Sequence, residues 1–263
     1  MRLKLPLYTT VLDDLGSREP LLFIHGFPLS RALWEPQLND LSDSARVLAF
    51  DLRGFGGAEP VPGPASVDDY AADCLACLDA ARVTRPAVLC GLSMGGYIAL
   101  AFYRKYPERV AGLILAATRA GADSPEGRAN RDKMAAQARA QGAGAVAEAM
   151  LPKLFSPKTY AAQPQLVAGT RALMAGASVD GLTAALAAMR DRPDSTATLA
   201  AIRAPTLVLH GADDQLIPAA EAEKTRAGIP GAQLAVIADA GHLPNLEQPA
   251  AFNAAVRAFI ENL

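Results

Sequence analysis

Short, almost continuously apolar runs punctuate the chain at Leu21-Leu22-Phe23-Ile24, Val47-Leu48-Ala49-Phe50, Ala87-Val88-Leu89-Cys90, Leu113-Ile114-Leu115 and Leu207-Val208-Leu209. Runs this short, with no polar alternation, predict strands buried on both faces. Between them apolar residues recur at helical spacing, first at Leu33, Trp34, Leu38 and Leu41, then through Val67 to Val83, then at Ile98, Ala99, Phe102 and Tyr103. Strands and helices alternating at this rhythm predict an α/β fold: a mostly parallel sheet with right-handed crossovers and helices on both faces. Arg2 to Leu12 is expected to add an antiparallel hairpin at one edge. Phe252, Val256, Phe259 and Ile260 share one face of a closing helix.

The rhythm changes between about Arg119 and Thr198, which is rich in Ala, Arg and Gln, lacks short apolar runs and is broken by Gly142, Gly144, Pro152, Pro157 and Pro164. This divides the chain into a core of residues 1–118 and 199–263 and an inserted helical cap of residues 119–198. An insertion near strand ends is a natural lid, and its apolar residues, Met150, Leu154, Phe155 and Met189 among them, are available to line a pocket. Trp34, Leu154 and Phe155 are the candidate substrate contacts.

Composition narrows the partners. A 263-residue chain that is 51% hydrophobic has ample material for one large core, and a formal net charge of −2 gives it no overall basic character for nucleic acid or anionic membranes. The first residues carry no apolar stretch of signal-peptide type, and no segment is apolar enough to span a bilayer. Three cysteines give no disulfide framework, so a reducing cytoplasm is the expected setting and a small molecule the expected partner. Cys74 and Cys77 form a C-x-x-C pair, but they share a helical face with Tyr70, Leu78 and Ala81 and are read as packing rather than redox residues.

Gly91-Leu92-Ser93-Met94-Gly95 lies between the Pro86–Cys90 strand and a helical stretch from Gly96 to Tyr106. A G-x-S-x-G pattern means little alone. At a strand-turn-helix junction it is a candidate nucleophile elbow, where a sharp bend lifts a serine hydroxyl clear of its backbone and the glycines remove Cβ atoms that would collide. Ser93 needs a base, and the chain has three histidines. His25 and His210 each end a strand before a glycine and read as turn residues. His242 lies in a loop after the strand-like Leu234 to Ile237, at the edge where Ser93 is expected, and is the candidate base. A carboxylate must hold the far imidazole nitrogen. Asp213 and Asp214 follow the Leu207 strand; Asp214 is the better placed between Gly211 and Pro218, with Asp213 read as a turn cap and Asp123 as the reserve. The acyl-transfer oxyanion needs two preplaced donors, assigned to the backbone N–H groups of Met94, at a helix start, and of Phe27 in His25-Gly26-Phe27-Pro28.

With these segments, Asp51-Leu52-Arg53-Gly54 and Ala240-Gly241-His242 in this order, the sequence resembles the α/β-hydrolase superfamily over nearly its whole length, and most closely the small bacterial serine esterases and the 3-oxoadipate enol-lactonase type. The resemblance implies an eight-stranded sheet, a helical cap, the triad Ser93, Asp214 and His242, and no metal or organic cofactor. One departure is Phe55-Gly56-Gly57, where many relatives read His-Gly-x-Ser. A serine at position 93 separates the chain from haloalkane dehalogenases and epoxide hydrolases, which resemble it in Gly26-Phe27-Pro28 but use an aspartate nucleophile. The expected reaction is hydrolysis of carboxylic esters with small to medium apolar acyl groups. The rivals are lactone hydrolysis, perhydrolysis of the same acyl-enzyme and, from another class, ligand binding without catalysis.

Overall fold

The computed structural model describes all residues, Met1–Leu263. Strands β1 (Arg2–Lys4) and β2 (Thr9–Leu15) form the N-terminal hairpin; β3 (Pro20–Ile24), helix α1 (Glu35–Leu41) and β4 (Arg46–Phe50) follow. Helix α2 (Val67–Ala80), β5 (Ala87–Leu92), α3 (Met94–Lys105) and β6 (Val110–Ala116) complete the first half. The eight strands form one sheet when β7 (Thr206–Gly211) and β8 (Gln233–Ile237) are added, in the order β1-β2-β4-β3-β5-β6-β7-β8. The first two joins, β1 to β2 and β2 to β4, are antiparallel and the rest parallel. The α/β architecture and its edge hairpin are therefore as the apolar pattern predicts.

Strand composition explains the layering. Along β3, Leu21 and Phe23 point into one core layer and Leu22 and Ile24 into the other, with all four side chains buried. The same alternation runs through Val47 to Phe50 of β4, so continuous apolar sequence serves two faces at once. One layer is closed by α2 and α3, the other by α1 and the C-terminal helix Pro249–Ile260. The chain leaves β3 toward one face and the adjacent β5 toward the other. Their C-terminal ends thus flank the crevice of a topological switch point, where open α/β sheets bind ligands. Cys74 and Cys77 are buried within α2's layer, and burial pushes both thiols above their ordinary range.

Between β6 and β7 the chain forms only helices: α4 (Pro125–Met150), α5 (Pro157–Ala162), α6 (Pro164–Ala175), α7 (Val179–Asp191) and the short α8 (Thr196–Leu199). Their starts are locally encoded. The hydroxyls of Ser124, Ser156 and Ser178 each accept a backbone N–H three residues on, and proline follows the first two at the position where a helix needs no donor. Gly142 interrupts α4 with φ of 79°, so the long helix is two segments joined at a kink. The chain closes through α9 (Ala219–Gly228), α10 (Pro244–Glu247) and α11 (Pro249–Ile260), the last the amphipathic helix that Phe252, Val256 and Phe259 predict. No single helix is long and apolar enough to cross a membrane.

Helix α3 departs from the sequence reading in its start. It begins at Met94 rather than Gly96, immediately after the serine. The sequence reading leaves Met94 and Gly95 in the turn, but both are helical, and the first turn lies hard against its neighbours. A Cβ on Gly95 would strike the carbonyl of Ile24, and one on Gly96 the side chain of Thr118.

Candidate active site

Ser93 sits between β5 and α3 with φ of 55° and ψ of −112°, a region that non-glycine residues seldom occupy. Its surroundings hold it there. The Ser93 N–H donates to the Ala116 carbonyl at 2.8 Å, and its own carbonyl accepts the Thr118 hydroxyl at 2.8 Å. A Cβ on Gly91 would meet the Gly95 carbonyl, so the two glycines of the elbow are required by its tightness. Met94 is the first helical residue, and its N–H has no carbonyl one turn earlier to reach.

The His25 loop approaches from the neighbouring strand. His25 is fully enclosed: Nδ1 donates to the Gly26 carbonyl at 3.0 Å, and Nε2 accepts the Leu52 N–H at 3.0 Å. These bonds fix a neutral tautomer, and burial lowers the imidazole's pKa further. His25 is therefore a brace between the loops after β3 and β4, as a strand-end turn residue should be. The Phe55 ring packs edge-on to both His25 and Phe27. The Phe55-Gly56-Gly57 departure has a local cause: Gly56, at φ of 53°, leaves room for the buried Asp51 carboxylate, which accepts the N–H groups of Gly57 and Arg31 at 2.8 Å each.

Asp214 and His242 meet across the loops after β7 and β8. The His242 Nδ1 lies 2.8 Å from Asp214 Oδ2, with both side chains almost wholly buried. The other carboxylate oxygen accepts the N–H groups of Leu216 and Ile217 at 2.8 and 3.0 Å. Burial alone would raise the Asp214 pKa; His242 and these two amides outweigh it and hold the carboxyl below its ordinary value. Asp213 is exposed and contributes its backbone N–H to the Ala240 carbonyl at 2.8 Å, a turn role. Asp123 lies elsewhere, surrounded by arginines. His210 is buried below the pair, and desolvation lowers its pKa.

Ser93, His242 and Phe27 line one cavity of about 430 Å³, joined by Tyr97, Met134, Met150, Met189 and Leu216. Trp34, Leu154 and Phe155 are not in its wall, contrary to the sequence reading. Trp34 is fully buried beneath the sheet between Phe23 and Phe252, while Leu154 and Phe155 are enclosed in the same core layer. Large apolar residues are the natural choice for a pocket, but here packing claims them; the wall takes methionines from α4 and α7 instead.

The sequence reading also missed Glu247. Its buried carboxylate accepts the N–H of Gly241 at 2.7 Å, the N–H of Ser156 at 2.8 Å and the Thr159 hydroxyl at 2.7 Å. With the His242 N–H donating to the Leu154 carbonyl at 2.8 Å, this fastens the histidine loop to the helices inserted after β6. Nothing local announces the role, because two of its partners lie about 90 residues away in sequence. Glu247→Gln offers one acceptor oxygen to three donors, which costs about 1–3 kcal/mol for each group left unpaired. We expect a lower melting temperature together with a kcat loss of about tenfold at little-changed KM, since displacing His242, the candidate base, would cost rate. A fall in melting temperature alone, with kcat unaltered, would reduce Glu247 to a structural residue.

Residues 19–249 match the family described as alpha/beta hydrolase fold. The 3-oxoadipate enol-lactonase 2 of Acinetobacter baylyi is 29% identical over 246 residues, covering 94% of this chain and 90% of that one. The AB hydrolase superfamily protein YisY of Bacillus subtilis is 31% identical over 260 residues, covering 95% of each. Among solved structures, a thermophilic esterase from Thermogutta terrifontis, with malate bound, matches at a TM-score of 0.96 and 41% identity over 100% of this chain and 98% of that one. The enol-lactonase from Burkholderia xenovorans LB400 matches at 0.92 and 28% identity over 99% and 100%. From the order of its sheet, the bend at Ser93 and these matches over nearly its full length, the chain belongs to the α/β-hydrolase family.

Proposed function

We propose that this hydrolase cleaves carboxylic esters through an acyl-enzyme on Ser93. The observation that carries the reading is that Ser93 and His242 face one cavity while the buried Asp214 stands behind the imidazole. An ionised Asp214 accepts only, so the imidazole proton resides on Nδ1 and the Nε2 lone pair is the base. His242 Nε2 takes the Ser93 hydroxyl proton as Oγ attacks the substrate carbonyl carbon. The N–H groups of Phe27 and Met94 receive the developing oxyanion, each donor being worth about 3 kcal/mol in sites of this kind. The alcohol leaves with the proton that His242 held. Water then attacks the acyl-serine, again losing its proton to His242, and the acid and free Ser93 are released. The helices between β6 and β7 act as a cap, supplying Met134, Met150 and Met189 to the cavity and screening the acyl-enzyme from bulk water.

A lactone is an internal ester and passes through the same acyl-serine, its alcohol remaining attached. The enol-lactonases among the relatives favour this second substrate form. Treatment with a fluorophosphonate is expected to add one phosphonyl group, found on the peptide that contains Ser93, and to stop ester turnover. Folded protein that gains no adduct while still cleaving p-nitrophenyl esters would overturn the mechanism. Rates on p-nitrophenyl esters of rising chain length, set beside simple lactones, decide between the two substrate forms.

A further inference from the structure

Left-handed backbone is costly for any residue with a Cβ, and four non-glycine residues adopt it: Arg82 at φ of 57°, Ser93 at 55°, Ala117 at 45° and Asp239 at 55°. Three of the four follow the C-terminal ends of β5, β6 and β8, the edge that carries Ser93 and His242. Ser93 is the elbow itself, and Asp239 heads the histidine loop. Ala117 stands beside neither nucleophile nor base in sequence, and no step of ester cleavage uses it. Its N–H donates to the Leu209 carbonyl of β7 at 2.9 Å, and the chain then turns so that the next residue, the buried Thr118, lies on the first turn of α3.

Thr118 touches the elbow twice. Its hydroxyl donates to the Ser93 carbonyl at 2.8 Å, and a Cβ on Gly96 would come within 2.5 Å of both its Oγ1 and its Cγ2. The same carbonyl also accepts the N–H groups of Gly96 at 2.9 Å and Tyr97 at 3.3 Å, so it would be satisfied without Thr118. The extra donor acts on the peptide unit as a whole. The Ser93 carbonyl and the Met94 N–H belong to one trans peptide, a rigid plane in which the two groups point opposite ways. Donors gathered on the carbonyl therefore fix the direction of the N–H. They also polarise the unit, and such coupling strengthens a hydrogen bond by about 10–30%.

We propose that Thr118 is a positioning residue for ester cleavage: through the Ser93 carbonyl it aims the Met94 N–H at the developing oxyanion and makes it a stronger donor. Thr118 is not in the wall of the cavity, so it acts only through that peptide. The inference rests on the acyl-enzyme reading and on its assignment of Met94. Negative charge on the substrate oxygen develops only as Ser93 attacks, so the contribution belongs to the transition state and not to substrate binding. Rate should therefore depend on Thr118, and KM should not.

Thr118→Val keeps the branched shape and removes the donor, and because the Ser93 carbonyl retains the Gly96 and Tyr97 N–H groups, the melting temperature should stay close to that of the wild type. On p-nitrophenyl esters kcat is expected to fall about fivefold at unchanged KM, the worth of one neutral hydrogen bond. Thr118→Ser, which keeps the hydroxyl, should recover most of the loss. A trifluoromethyl ketone supplies a readout that packing alone would not move. Ser93 Oγ bonds to its carbonyl carbon, the hydroxyl proton passes to His242 Nε2, and the carbonyl oxygen becomes an oxyanion on the same donors. Its affinity should drop in Thr118→Val by the same factor as kcat/KM, while the affinity of the matching methyl ketone, which binds without adding Ser93, should not change. Equal loss for both ketones, equal failure of the Val and Ser variants, or wild-type kcat in Thr118→Val overturns the role of Thr118 and leaves the hydrolase standing. A wild type that neither cleaves esters nor captures the trifluoromethyl ketone sinks the hydrolase reading, and the role of Thr118 falls with it.

Discussion

Ser93→Ala is expected to lower kcat on p-nitrophenyl esters by about a million-fold, as loss of a nucleophile does when base and oxyanion donors act only through it. The proposed oxyanion donors survive the change, because the N–H groups of Phe27 and Met94 belong to the backbone, so a small residual rate above water is expected. The fold should survive as well. Alanine keeps the Cβ and has much the same aversion to a φ of 55° as serine, and the bonds holding the elbow, from the Ser93 N–H to Ala116 and from Thr118 to the Ser93 carbonyl, do not involve the hydroxyl. Ser93→Gly supplies the complementary measurement. Glycine tolerates positive φ, so this variant should be equally inactive yet more stable by about 1 kcal/mol, which is roughly 2–4 °C in a chain of this size. Inactivity joined to stabilisation would mark the backbone at Ser93 as strained for function. Full activity in Ser93→Ala would remove the nucleophile.

The sheet was legible because its strands are buried on both faces, which leaves continuous apolar runs such as Leu21 to Ile24 that no surface helix produces. The loop ends were legible for a related reason: a residue such as Gly91 or Gly95 is demanded by atoms that close in on it, so its identity reports a local distance. The cavity wall was not legible. Whether a methionine or a leucine reaches a pocket depends on how α4 bends at Gly142 and how the inserted helices rest on the sheet, and neither follows from periodicity. Long-range polar contacts are equally silent. Asp123 looks like any loop acid until Arg192, 69 positions later, is found against it, and Glu247 owes its role to Ser156 and Thr159. Residues of telling type beside a strand end, such as Ser93, Asp214 and His242, could be picked out as candidates from chain order, while the partners of Asp123 and Glu247 required the assembled fold.

Asp214→Asn should reduce kcat by about ten-thousand-fold, against less than about twofold for Asp213→Asn. The adjacent residues differ in what their side chains touch. Asp214 Oδ1 accepts two backbone N–H groups and Oδ2 faces His242 Nδ1, whereas the exposed Asp213 is held through its own N–H, which asparagine retains. In the Asp214→Asn variant the side-chain amide oxygen keeps the Leu216 and Ile217 N–H groups, and its NH2 group then points at His242 Nδ1. Two donors cannot face each other, so the imidazole proton moves to Nε2 and the atom that should accept the Ser93 proton is already occupied. Stability gives a second signature with a definite sign. The wild-type carboxyl, held below its ordinary value of about 3.9, contributes stability that is fully present above that value and is lost as pH falls through the lower, folded-state value. The amide does not titrate, so the stability gap between wild type and Asp214→Asn should narrow as the pH is lowered through the carboxyl range. Greater damage from Asp213→Asn than from Asp214→Asn in kcat would transfer the acid role to Asp213 and break the link between the buried Asp214–His242 contact and catalysis.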